Sequence, residues 1–186
     1  MRVLYGRYYA SRYQEIAALI PDGVSVLELC CGPAQLYRQY LRSKNVKYTG
    51  LDINARFIKQ LQNENVDGQV WDLRENKQLP AADYVLMQAS LYHFLPDTRP
   101  IVDRMLEAAR RKVIIAEPIR NLSSSSFALV RSIARHLTKV GDWHHDRFTE
   151  QMLDQFFSHY QPQIDGCFLI PGGREKVYVL DKRSHG

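Results

Sequence analysis

The sequence predicts an α/β fold: a doubly wound, mostly parallel seven-stranded sheet with helices on both faces and an antiparallel C-terminal hairpin. Two observations carry this. Five short, β-branched, apolar runs alternate with segments whose apolar residues recur at helical spacing, and such alternation builds a parallel sheet covered on both sides. The tail then breaks the pattern, because two strand-like runs flank Pro171-Gly172-Gly173, the composition of a hairpin turn.

The elements follow in order. Tyr9, Tyr13, Ile16 and Ile20 recur at helical spacing, and Pro21-Asp22-Gly23 ends that helix. Val24 to Leu29 reads as a first, buried strand. Gly32-Pro33 follows, with Pro33 suited to the first position of a helix whose apolar face is Leu36, Tyr37, Tyr40 and Leu41. Val46 to Asp52 is a second strand, and Asn54 caps a helix carrying Phe57, Ile58 and Leu61. Gly68 to Asp72 is a short third strand, and Asp83 to Gln88 a fourth. Asp97 to Ala109 is helical, with Ile101, Val102, Met105 and Leu106 inward. Lys112 to Glu117 is a fifth strand, ended by Pro118. A helix near Thr149–Tyr160 precedes the two hairpin strands, Gln163–Ile170 and Lys176–Asp181.

Length and composition bound the protein class. A chain of 186 residues, 45% hydrophobic and 24% charged, suits one globular domain and not a disordered one. Three cysteines, without a C-x-x-C pair, suit a reduced, cytoplasmic setting better than a disulfide scaffold or a zinc ribbon. The first residues lack the apolar run of a signal peptide, and no segment approaches the length of a spanning helix. The net charge is +5. Its excess sits in Arg120, Arg131, Arg135 and Lys139, within a stretch from Glu117 to Asp142 that holds no acid between its ends. With no RNA-binding module and no long basic run, nucleic acid is not an expected partner.

In an open parallel sheet, ligands bind beyond the carboxyl ends of the strands. There the sequence places Glu28, then Leu29-Cys30-Cys31-Gly32-Pro33-Ala34, then Asp52, Asp72, Gln88 and Glu117. Small residues let backbone N–H groups approach a ligand. An acid ending strand two can chelate a ribose diol, and one after strand three can accept from an exocyclic amine. Taken singly, each acid reads equally well as a cap or a surface charge.

Taken in chain order with the terminal hairpin, these residues resemble the class I S-adenosylmethionine-dependent methyltransferases over nearly the whole chain. That family's first motif, acid-x-Gly-x-Gly-x-Gly, appears as Glu28-Leu-Cys30-Cys-Gly32-Pro-Ala34, with only the central glycine kept. The resemblance implies a Rossmann-like methyltransferase fold with S-adenosylmethionine as cofactor. It implies that Glu28, Cys30 and Gly32 form the first motif, that Asp52 holds the ribose hydroxyls and that Ile53 packs on adenine. Asp72 and Leu73 would sit by the adenine amino group, and Gln88 and Ala89 would line the methionine end. Leu91-Tyr92-His93-Phe94 looks like the family's histidine-bearing turn, and Thr149 to Leu153 like its late helix.

Residues 1–186 are therefore expected to form a single methyltransferase domain, with 1–21 as an N-terminal helical lid and 119–148 as a cap insert. The expected reaction is methyl transfer to an oxygen or nitrogen of a small molecule. His93 is a candidate base at the mouth of strand four, with a structural histidine as the bland alternative. His144 and His145 are further candidates. As neighbours in an extended segment they point opposite ways, and no third ligand has clear spacing, so no metal is expected. Tyr9, Arg12 and Tyr13 are candidate acceptor contacts, though the tyrosines serve equally as the core stripe of their helix. Arg131 and Arg135 form a ridge beside the stripe Val130, Ile133, Leu137 and Val140. That ridge suits an anionic acceptor, a solvated face or, third, a membrane surface. Two other functions compete: a non-catalytic S-adenosylmethionine-binding partner domain, and a nucleotide-dependent oxidoreductase. The second lacks Gly-x-Gly-x-x-Gly.

Overall fold

The computed structural model describes residues 6–119 and 147–182. Seven strands form one sheet: β1 (Ser25–Leu29), β2 (Lys47–Asp52), β3 (Asp67–Val70), β4 (Ala82–Gln88), β5 (Ala109–Pro118), β6 (Ile164–Leu169) and β7 (Glu175–Asp181). Their order is β3-β2-β1-β4-β5-β7-β6. The first five pair in parallel, and β7 runs antiparallel to both of its neighbours. The hairpin therefore extends the sheet with β7 inserted next to β5 and β6 at the edge.

Side chains alternate across a strand, and the core divides accordingly. Leu27, Leu29, Val85, Met87, Val113, Ile115, Tyr178 and Leu180 pack on one face, and Val26, Leu86, Ile114, Ala116, Val177 and Val179 on the other. Because both faces are covered, the central strands carry continuous buried apolar runs, Tyr84–Met87 in β4 and Val113–Ala116 in β5, rather than alternating.

Among the described residues, four α-helices supply that cover. The first, α1 (Ser11–Ala18), buries Tyr13, Ile16 and Ala17. In α2 (Ala55–Asn63) the expected cap forms: the Asn54 side chain accepts from the Arg56 N–H at 3.0 Å. Gly50 lets this layer sit close on β2. A Cβ there would come within 2.9 Å of Cys31 Sγ and of Leu61 Cδ1. The opposite face is covered by α3 (Arg99–Ala108) and α4 (Glu150–Phe157). Thr149 caps α4 by accepting from Met152 N–H at 3.2 Å, and Phe157 stacks on Tyr178 with ring centroids 3.9 Å apart.

Some expected boundaries move. Pro33 does not open a helix. Ala34 has φ +51°, so helical winding begins only at Gln35, and it continues as a π-helix over Tyr37–Leu41 and a 3-10 turn over Arg42–Lys44. Strand β3 ends at Val70, which leaves Trp71 and Asp72 beyond the sheet. Strand β5 begins at Ala109, which pairs with Ala82. The late α-helix stops at Phe157 and gives way to 3-10 winding through Gln163. The expected insert helix falls on residues 120–146, outside those described. Among the described residues no helix is long and apolar enough to cross a membrane.

Candidate active site

The parallel strands all point their carboxyl ends to one edge, and a cavity of ≈ 320 Å³ opens there. That volume lies at the lower end of the range for small-molecule sites. Six expected residues line it: Cys30, Asp52, Ile53, Asp72, Leu73 and His93. Four more were not anticipated: Trp71, Arg74, Ser90 and Phe94.

The loop after β1 answers the question raised by its missing glycines. Cys30, Gly32 and Ala34 have φ +53°, +51° and +51°. All three glycine positions of the motif thus hold left-handed backbone, although two of them carry a Cβ. A left-handed L-residue costs roughly 1–2 kcal/mol, so the tertiary structure holds this loop against local preference. Gly32 has nothing within 4 Å of a built Cβ, so Gly32→Ala should cost backbone strain alone. The expected loss is about 1 kcal/mol of stability, measured by urea unfolding. A loss above about 3 kcal/mol would reveal a clash that the open space contradicts.

Asp52 organises the loop. Its Oδ2 accepts from Gly32 N–H at 2.8 Å and its Oδ1 from Asn54 N–H at 2.8 Å. A carboxylate offers about four lone-pair sites, so capacity for a ligand's hydroxyls remains. Ile53 beside it is 60% exposed, which leaves an apolar surface at the cavity rim.

Beyond β3, Asp72 accepts from Arg74 N–H at 2.9 Å. Arg104 of α3 fastens this loop, donating to the carbonyls of Leu73 and of Glu75, the latter at 2.7 Å. Trp71 Nε1 is buried without a partner among the described residues, and Lys77 lies 5.9 Å from its ring centroid.

Beyond β4 a 3-10 turn, Leu91–Phe94, presents the exposed His93 and the half-buried Phe94. The Tyr92 and His93 rings lie 4.0 Å apart. Arg147, at the far end of the 119–148 segment, lies over the Tyr92 ring at 5.5 Å. Burial and the Asp52 charge push the Cys30 thiol up to about 12. It therefore stays protonated, and a nucleophilic thiolate is not its role.

Other expected site residues lie elsewhere. Glu28 is buried away from the cavity lining and accepts from Tyr48 Oη at 2.6 Å. Burial pushes its carboxyl up to about 7, against the pull of that hydrogen bond. Gly32 is not among the lining residues, but its N–H is bonded to Asp52, which is. Gln88 and Ala89 are not among the lining residues, and the Ala89 N–H donates to Ala116 O at 2.7 Å. Tyr9, Arg12 and Tyr13 also lie off the lining. Tyr13 packs edge-on to Tyr9 at 5.5 Å and stacked on Tyr40 at 6.2 Å, while Arg12 forms a buried ion pair with Glu175. Packing rather than the cavity takes these side chains. Arg131, Arg135, His144 and His145 fall outside the described residues.

The comparisons with known proteins agree with this geometry. A family model described as a methyltransferase domain matches residues 26–113. No curated protein matches the sequence. Among solved structures, the chain is similar to the magnesium protoporphyrin IX methyltransferase of Synechocystis PCC 6803 with S-adenosylhomocysteine bound. The identity is 12%, with 94% of this chain and 83% of that one covered and a TM-score of 0.69. It is also similar to the N-methyltransferase NodS of Bradyrhizobium japonicum WM9, at 13% identity, with 95% and 97% covered and a TM-score of 0.65. At these identities the structural likeness speaks for the fold. The domain match over residues 26–113 and the sheet order give this chain a methyltransferase domain of the Rossmann-like methyltransferase fold. It is an enzyme of a class whose cofactor is S-adenosylmethionine.

Proposed function

We propose that this chain moves a methyl group to an oxygen or nitrogen of a small-molecule acceptor, with the ≈ 320 Å³ cavity as the donor site. The observation that carries this reading is the meeting, in one cavity, of the left-handed loop at Cys30 with Asp52, Ile53, Asp72 and Leu73. Asp52 takes the ribose hydroxyls, Ile53 covers one side of the adenine, and Asp72 with Leu73 faces its amino edge. Trp71 adds an aromatic wall.

When bound, S-adenosylmethionine supplies a methyl group already activated on sulfur, so the residues need mainly to position it and exclude water. Phe94 and Trp71 supply apolar and aromatic walls. His93, exposed at the cavity, takes the proton that an oxygen or nitrogen nucleophile must lose. The acceptor itself meets the side of the site nearest Arg147, which lies over the Tyr92 ring. An anionic acceptor would draw on Arg131 and Arg135. The free cysteines Cys30, Cys31 and Cys167 support a reducing, cytoplasmic setting.

The oxidoreductase reading is weaker on topology. The dinucleotide fold orders its strands 3-2-1-4-5-6, whereas here an antiparallel β7 stands between β5 and β6. Calorimetry should detect binding of S-adenosylhomocysteine and none of NAD. Binding of NAD alone would overturn the proposal. Cofactor binding without turnover on a broad panel of hydroxyl and amine acceptors would favour a non-catalytic partner domain.

A further inference from the structure

We infer that Glu117 is a positioning residue for this site: its carboxyl clamps the turn that presents Ser90, His93 and Phe94 to the cavity. The inference rests on the donor-site reading above.

Glu117 lies near the end of β5, beside the end of β4, with no exposed surface. Its Oε1 accepts from Ser90 N–H at 2.7 Å and from Leu91 N–H at 2.6 Å. These two N–H groups begin the segment that leaves β4, before the first 3-10 hydrogen bond, His93 N–H to Ser90 O at 3.2 Å. Neither belongs to the sheet ladder or to the helical turn. Without Glu117 both would be buried donors lacking an acceptor, a costly state. The Ser90 hydroxyl closes the same turn by donating to Gln88 O at 2.9 Å. Three side chains of the cavity wall thus take their placement from one carboxyl on the neighbouring strand.

The carboxyl is held in an unusual setting. Its second oxygen, Oε2, makes no hydrogen bond of full geometry among the described residues, while the Tyr92 N–H is a third donor directed at the carboxyl. Burial pushes the group up to about 8, opposed by the bonds from Leu91 and Ser90, with the charge of Glu175 adding to the rise. An acceptor oxygen at Oε1 is all that the clamp requires, whether the group is ionised or not.

That requirement makes the test specific. Glu117→Gln keeps an acceptor oxygen with two lone pairs, whereas Glu117→Ala removes it and Glu117→Asp withdraws it by one methylene. S-adenosylhomocysteine affinity by calorimetry should fall by about tenfold or more in Glu117→Ala and Glu117→Asp, and stay within about threefold in Glu117→Gln. The Ser90 and Leu91 amide resonances should be shifted downfield and protected from exchange in the wild type and in Glu117→Gln, and should lose both properties in the other two. If Glu117→Ala does not fold, Glu117→Asp decides. A folded Ala or Asp variant with wild-type affinity and unchanged Ser90 and Leu91 amides overturns the inference. A Glu117→Gln variant that behaves like Glu117→Ala also overturns it, since charge and not the acceptor oxygen would then be at work. Failure of the wild type to bind S-adenosylhomocysteine would instead count against the donor site, while the ligand-free amide signals would still decide the clamp.

Discussion

Replacing Arg12 with alanine should destabilise the protein by about 3–5 kcal/mol, the range for removing one partner of a buried ion pair. Arg12 Nε lies 2.9 Å from Glu175 Oε2 and Nη2 lies 3.2 Å from Oε1, with side chains 3% and 0% exposed. No solvent reaches the carboxylate to replace the lost guanidinium. The surroundings worsen the loss, because Glu28 and Glu117 are also buried, and the Arg12 charge draws Glu28 downward while Glu175 pushes Glu117 up. Arg12 therefore offsets Glu175 directly and Glu28 through space. It also joins α1 to β7 across 163 residues of sequence, beside the contact of Tyr8 with Gly172. The comparison that isolates the charge is Arg12→Met with Glu175→Leu. Replacing both partners by apolar groups is often close to neutral, so this double variant should recover most of the lost stability in urea unfolding. A single Arg12→Ala variant within about 1 kcal/mol of wild type would mean that the pair is in effect solvated.

This pair marks where the sequence stops being legible. The strands could be read because a strand buried on both faces leaves a continuous apolar run, and their carboxyl ends share an edge by topology alone. That logic gathered Cys30, Asp52 and Asp72, and the resemblance added Ile53 and Leu73; all five line one cavity and belong to three different strand ends. It failed for side chains whose direction depends on the turn beyond the strand. Trp71 reads as a strand residue, yet β3 stops one residue earlier and its ring joins the cavity wall. Ser90 and Phe94 depend on the 3-10 geometry that Glu117 fixes from another strand. Glu28 carries the motif's acid in sequence, but the alternation of β1 turns it towards Tyr48 and the α1 side of the sheet. Arg12 and Tyr13 sit on a helix whose periodicity allows either a lid or a core stripe. Only the distant Glu175 and the stacked Tyr40 show that packing takes them. The left-handed angles at Cys30 and Ala34 had no local signal, since neither residue favours them.

Asp52→Ala should weaken S-adenosylhomocysteine binding by about 2–3 kcal/mol, roughly 30- to 150-fold in Kd. Two losses combine. The ligand loses a charged acceptor for its ribose hydroxyls, a bond of the kind worth about 1.5–3 kcal/mol. The loop also loses the carboxylate that holds Gly32 N–H and Asn54 N–H together. With left-handed angles at Cys30 and Ala34, that loop has intrinsic reason to relax once released. Folding stability should fall less than affinity, because Asp52 is only half-buried and water can reach the freed Asn54 N–H. Asp52→Asn separates the two effects. Its single acceptor oxygen can satisfy Gly32 or Asn54 but not both, because its amide nitrogen only donates. Its affinity should therefore lie between wild type and Asp52→Ala, with stability close to wild type. Calorimetry on the three proteins decides the matter: equal affinities for S-adenosylhomocysteine would take Asp52 out of the ribose site and leave it as the loop's fastening alone.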